Sequence, residues 1–190
     1  MYIVIKVEHY DAINLISKHE KLEDALAEVM KAVANKFNAA SASALPSDGS
    51  DISHHCNIGS VSVVPDSKNI LLASANADCN GESTDWGIFS VDNATQFILL
   101  KNVEYGPMNI LNSFKSFDRA YSAMKEDLAK EVNEAYYTDF TADDMEDKTI
   151  SDDYNVFLSS DENSTDNGAP LAAANFCENT AAIDWCIFKL

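Results

Sequence analysis

The pentapeptide Asp85-Trp86-Gly87-Ile88-Phe89 returns at the end of the chain as Asp184-Trp185-Cys186-Ile187-Phe188, and the residues before each copy also match. A shift of 99 positions aligns Leu72-Ala73-Ser74-Ala75-Asn76 with Leu171-Ala172-Ala173-Ala174-Asn175 and Asn80 with Asn179, so that 9 of 18 positions are identical. A shift of 95 aligns Tyr2-Ile3-Val4-Ile5-Lys6 with Phe97-Ile98-Leu99-Leu100-Lys101. The same shift superposes Leu22, Ala25, Leu26, Val29, Val33 and Phe37 on Phe117, Ala120, Tyr121, Met124, Leu128 and Val132. Agreement in three separate segments, under shifts of 99 and 95, predicts a tandem duplication. Each copy is near the usual size of a domain, so the chain is not a solenoid of small repeats.

Positions 22, 26, 29, 33 and 37 are spaced as one face of an amphipathic helix, and their partners in the second copy keep that spacing. Ser17 and Glu20 have the spacing of a capping box, which predicts that the first helix opens there; Ser116 is the candidate cap of the second. Residues 2–7 and 96–103 are rich in β-branched and aromatic side chains and read as opening strands. Residues 61–64 and 70–73, joined by the turn Pro65-Asp66-Ser67-Lys68-Asn69, read as a hairpin, as do residues 155–158 and 171–173 across a longer turn through Asn167-Gly168. Residues 86–91 and 185–190 close each copy as a strand.

The expectation is therefore an α+β fold made of two β-α-β-β-β units, residues 1–92 and 96–190, each a mostly antiparallel sheet covered by one helix. One helix cannot cover all the apolar side chains of such a sheet. The short junction Asp92-Asn93-Ala94-Thr95 leaves little freedom, so the two copies are expected to pack as one rigid, pseudo-two-fold body.

Charge narrows the function classes. The chain has 31 acidic and 13 basic residues, a formal charge of −18. Residues 1–95 hold 13 acids and 6 bases, residues 96–190 hold 18 and 7. Between Thr138 and Asp166 stand ten carboxylates, Asp139, Asp143, Asp144, Glu146, Asp147, Asp152, Asp153, Asp161, Glu162 and Asp166, with only Lys148 against them. Such a chain repels phosphate, which argues against direct binding to nucleic acid or an anionic membrane. The single arginine, Arg119, points the same way. A basic protein surface is the partner that complements it.

No catalytic or cofactor signature stands out. His54-His55-Cys56 has zinc-ligand chemistry, or a thiol nucleophile with a histidine base, but no fourth ligand lies nearby and the second copy has no counterpart. Residues 143–153 and 161–168 offer oxygen ligands, yet neither has the glycine and glutamate positions of a twelve-residue calcium loop. Cys79, Cys177 and Cys186 align with Glu178, Asp78 and Gly87, so no disulfide predates the duplication, and free thiols are expected. Trp86 and Trp185 are expected in the cores, each indole N–H bonded to a nearby acceptor; exposed together they would form an aromatic patch for a partner. No long apolar run and no leader is evident, which predicts a cytoplasmic protein.

The sequence thus predicts a non-enzymatic acidic interaction protein without cofactor or metal. Its charge and size are those of inhibitors that phages and mobile elements direct at host nucleases, the anti-restriction and anti-CRISPR type, an analogy that no motif carries. A self-associating scaffold and a small Cys/His hydrolase or metal-dependent enzyme using His54, His55 and Cys56 are the alternatives.

Overall fold

The computed structural model describes residues 1–8, 13–40, 59–60, 70–79, 82–104, 108–164, 166, 168–178 and 181–190. It is an α+β fold with two antiparallel sheets and three α-helices among those residues. The chain divides into two compact units, Met1–Asn93 and Ala94–Leu190.

In the first unit β1 (Tyr2–Glu8) pairs with β2 (Ile13–His19), and α1 (Leu22–Ala40) then leads to β3 (Gly59–Ser60), β4 (Ile70–Cys79) and β5 (Glu82–Ser90). The sheet order is β2-β1-β5-β4-β3. The connection through α1 therefore runs from one sheet edge to the other. A helix of 19 residues spans about 28 Å at 1.5 Å per residue, more than the ~19 Å between the outer strands of a five-stranded sheet. It lies on the sheet, where Ala25, Val29, Val33 and Ala34 meet Val4, Ala73, Ala75, Ala77, Trp86 and Ile88. Glu23 and Asp24 occupy its first turn, where carboxylates offset the positive end of the helix dipole.

The second unit runs β6 (Phe97–Val103), β7 (Met108–Phe114), α2 (Phe117–Tyr136), a 3₁₀ turn (Asp144–Glu146), α3 (Lys148–Tyr154), β8 (Val156–Ser160), β9 (Ala172–Glu178) and β10 (Ala181–Lys189). Its sheet order is β7-β6-β10-β9-β8. Phe117, Ala120, Met124, Leu128 and Val132 of α2 are buried against Leu99, Ala172, Ala174, Phe176, Trp185 and Ile187. In each opening strand consecutive residues are buried: Val4 and Leu99 join the helix-side clusters, while Ile3, Ile5, Ile98 and Leu100 point to the other face and are equally inaccessible.

One cross-strand arrangement occurs in both units. Ala75 lies opposite Trp86 and Ala174 opposite Trp185, a small residue facing a large one in each case. One step along, Asn76 Nδ2 donates to Asp85 Oδ1 and Asn175 Nδ2 to Asp184 Oδ1, both at 2.7 Å. The Leu-Ala-x-Ala-Asn and Asp-Trp pieces of the sequence repeat are thus the two sides of one cross-strand arrangement.

Three expectations need correction. Each unit has a strand that the β-α-β-β-β reading lacks, β2 and β7, so the helix is preceded by a hairpin. Ser17 belongs to β2, opposite Val4, with its hydroxyl 2.9 Å from His19 Nε2, and does not cap α1, which starts at Leu22. One helix per sheet is too few for the second unit, where α3 and the 3₁₀ turn lie over Val156 and Leu158 of β8 on the helix side of the sheet. The hairpin expected at residues 61–64 lies outside the described residues; its counterpart is present as β8 paired with β9, and Gly168 takes the left-handed backbone (φ 88°) in the connection. Ser116 is the N-cap residue of α2, with no side-chain cap bond.

Candidate interaction surface

The acidic stretch is an ordered, amphipathic platform. Tyr137 ends α2 in the left-handed conformation (φ 57°), and Asn133 turns the chain back. Asn133 Oδ1 accepts from the Phe140 N–H and the Thr138 hydroxyl, and its Nδ2 donates to the Phe140 carbonyl, each at 2.8 Å. Met145, wholly buried, and Phe140, Ile150 and Tyr154 pack onto the core of the second unit. Tyr154 meets Tyr136 and Phe140 edge-on at 5.0 and 5.1 Å. With the apolar members of the segment turned inward, the carboxylates are left on the outside: nine of the ten are exposed and Asp144 is half-buried.

Five of them serve the local fold. Hydrogen bonds from the Thr141 N–H and hydroxyl, both 2.7 Å, hold the Asp144 carboxyl below its ordinary range. Asp147 caps α3 by accepting from the Thr149 N–H at 2.7 Å, and Asp161 accepts from the Asn163 N–H at 3.1 Å. Lys125 reaches from α2 to Glu146 at 3.0 Å and Asp143 at 3.6 Å. Burial pulls the Lys125 ammonium down, but Glu146 and Asp143 more than compensate and the net shift is upward. Lys125 thus neutralises part of the cluster, which sequence order alone does not reveal. Among the described residues no ion pair is recorded for the other eight. Asp139, Asp152, Asp153, Glu162 and Asp166 are exposed and have no such local task among the described contacts.

A second polar cluster was not anticipated in this form. Asp127 Oδ2 accepts from the Trp185 indole N–H at 2.8 Å and from Lys101 Nζ at 2.7 Å, and Glu131 binds the same ammonium at 2.6 Å. Lys101 also sits 5.1 Å from the Trp185 ring centre. Burial lowers the Lys101 pKa, yet the bonds to Asp127 and Glu131 prevail and raise it overall. Asp127 and Glu131 are four apart on α2, a spacing that sets both on one helix face and was available from the helix periodicity; Lys101 aligns with Lys6 of the first half. The cluster joins helix to sheet and carries no nucleophile.

Trp86 and Trp185 are 4% and 0% exposed, so the twin aromatic patch is excluded and core packing holds for both. Cys177 and Cys186 are free thiols, the first exposed, the second buried with its pKa driven up by desolvation. His54, His55 and Cys56 lie outside the described residues, and among the described ones no group of three or more His, Cys, Asp or Glu is placed to hold a metal. A shallow groove of about 390 Å³ beside α2 is lined by Glu126, Lys130, Asn133, Glu134 and Phe140. Another of about 490 Å³ lies at Met1, Lys18, His19, Glu20 and Asn93. Among the described residues no helix is long and apolar enough to cross a membrane. No protein-family model, curated protein or solved structure matches the chain.

Proposed function

We propose that the chain is a duplicated α+β unit that acts as a non-enzymatic interaction protein, presenting the ordered acidic platform of its second unit to a basic surface on another protein. The observation that carries the reading is the packing of Phe140, Met145, Ile150 and Tyr154 onto the core while nine of the ten carboxylates stay exposed, which ties the segment down instead of leaving it a solvated tail. Fixed carboxylates lose less entropy on binding and can match a pattern of lysines and arginines. A surface built to bind phosphate, such as the nucleic-acid channel of a nuclease, has that pattern, so inhibition by occupation of the channel is the activity we assign. Duplication is supported by the common strand order, the equivalent helix and the paired Asn–Asp contacts.

The test uses a panel of basic nucleases, with binding and cleavage measured at ~0.05 and ~0.5 M salt. Replacing Asp139, Asp152, Asp153 and Asp166 by Asn and Glu162 by Gln spares the residues that hold the platform together and should abolish inhibition. The quadruple variant of Asp143, Asp144, Glu146 and Asp147 should do the same, but with added loss of local order. Inhibition indifferent to salt and to both variants would remove the proposal.

A further inference from the structure

Three sheet edges are described along their whole length, and they differ. In β2 the register slips between the partners of Val4 and Ile5, leaving Ile16 as the extra residue of a bulge, and Ile16 is 41% exposed. In β7 the slip falls between the partners of Leu99 and Leu100, which puts Leu111 in the same role at 40% exposure. Bulges twist an edge and interrupt its row of free amides, so both edges are poor templates for another strand. The remaining edge, β8, pairs with β9 without a slip, and among the described residues no backbone group is recorded on its outer side. It also exposes Phe157 by 59%.

Charge flanks this edge at both ends. Asp152 and Asp153 precede β8, Asp161 and Glu162 follow it, and all four are exposed. Five strand residues cover about 17 Å at ~3.3 Å each, so a basic residue placed every five or six positions of an extended chain would meet both pairs.

We propose that β8 is a strand-docking site for an extended, basic segment of the partner, one that adds to the sheet beside β8, rests an apolar side chain on Phe157 and sets lysine or arginine at either end. This rests on the reading that the partner is basic and says how part of it is held. A second copy of the chain is the less suited occupant, because it would bring carboxylates to carboxylates in a protein of charge −18. Main-chain hydrogen bonds would supply affinity and the flanking charges the choice of sequence.

The probe is a peptide of about nine residues, two lysines at each end of an alternating valine–threonine centre, titrated into the full chain with amide shifts and calorimetry as readouts. Saturable binding is expected, with shifts centred on Val156–Ser160. N-methylating alternate backbone amides of the peptide, in either phase, keeps its charge but removes its donors and should weaken binding at least about tenfold in one phase. Phe157→Ser should weaken it several-fold with an unchanged far-UV spectrum. Equal binding of both N-methylated peptides, or shifts confined to residues 139–147, would overturn strand docking while leaving the acidic platform intact as a binding surface. A concentration-dependent dimer abolished by Phe157→Ser would give the edge to a second copy and equally overturn the proposal. If neither the peptide nor any basic nuclease binds, both readings fall together.

Discussion

Asp127 offers a measurement in which hydrogen bonding and charge separate. Its Oδ2 accepts from the indole of the wholly buried Trp185 and also faces Lys101. Asp127→Ala leaves the indole N–H without an acceptor, which costs about 1–3 kcal/mol. The ion pair adds less, because the side chains of Lys101 and Asp127 are 14% and 24% exposed and Glu131 still holds the ammonium; about 0.5 kcal/mol is a discounted figure. Asp127→Ala should therefore lose about 2–3 kcal/mol and Asp127→Asn, whose amide oxygen still accepts from the indole, about 1 kcal/mol or less. With a urea slope of ~2 kcal/mol per molar, the midpoint of the second unit should fall by about 1–1.5 M for alanine and under ~0.5 M for asparagine. Far-UV circular dichroism is the suitable readout, since Trp86 adds its own fluorescence. Raising salt to ~0.5 M should shrink the asparagine deficit and leave most of the alanine deficit in place. Equal losses for the two variants would mean that charge, not the indole bond, dominates. Losses below ~0.5 kcal/mol for both would make the cluster a surface ornament and refute the argument.

Gly87→Ala should destabilise by about 1–3 kcal/mol in urea unfolding, because a Cβ there would lie 2.8 Å from the Phe89 ring and 3.1 Å from Leu71 Cδ1 in a filled interior. Mapping of iodoacetamide adducts on the folded chain should find Cys177 alkylated and Cys186 untouched, since burial raises the Cys186 pKa and denies access; both should react in urea. Asn133→Ala removes three hydrogen bonds at the end of α2 and should cost about 1–3 kcal/mol while speeding amide exchange over residues 138–146. The Lys101 pKa is raised above its ordinary 10.5, so its contribution is intact below that value and is lost as pH climbs through the folded one; Lys101→Met should remove this part of the alkaline destabilisation.

What could be read in the residues follows from which patterns are local. α1 and α2 were legible because Leu22, Ala25, Leu26, Val29 and Val33, and their partners, keep helical spacing without interruption. β2 and β7 were not, and their bulges are the reason. Ile16 and Leu111 each insert one residue, shifting the alternation from one parity to the other within seven residues, so no period of two survives long enough to be recognised. In β2 the Ser17-x-x-Glu20 pattern then imitates a helix start. α3 is seven residues long and its apolar face is only Ile150 and Tyr154, too few to establish a helical period; the Asp147 cap is its main local signal. The acidic surface was legible as composition, but which carboxylates are occupied was not. Glu146 is committed to Lys125 across 21 positions, a distance that only the return of the chain over α2 closes.

If the halves are copies of one unit, their differences mark what was free to vary. On the duplication reading, Ala32 and Lys36 of α1 stand where α2 carries Asp127 and Glu131. Lys36 donates to the Thr84 hydroxyl in the first unit, and Lys6 pairs with Glu8 at 2.7 Å, whereas in the second unit Lys101 is drawn onto the helix and the indole gains a charged acceptor. The apolar contacts and the Asn–Asp pairs are shared while the ion pairs are not. That division is expected if the shared contacts set the fold, because a buried shape tolerates few changes and a half-exposed charge tolerates many. The excess of acid in the second half is then a feature the fold did not require. Its position beside an unbroken sheet edge, and not beside the bulged ones, makes binding through that half the economical explanation for both features.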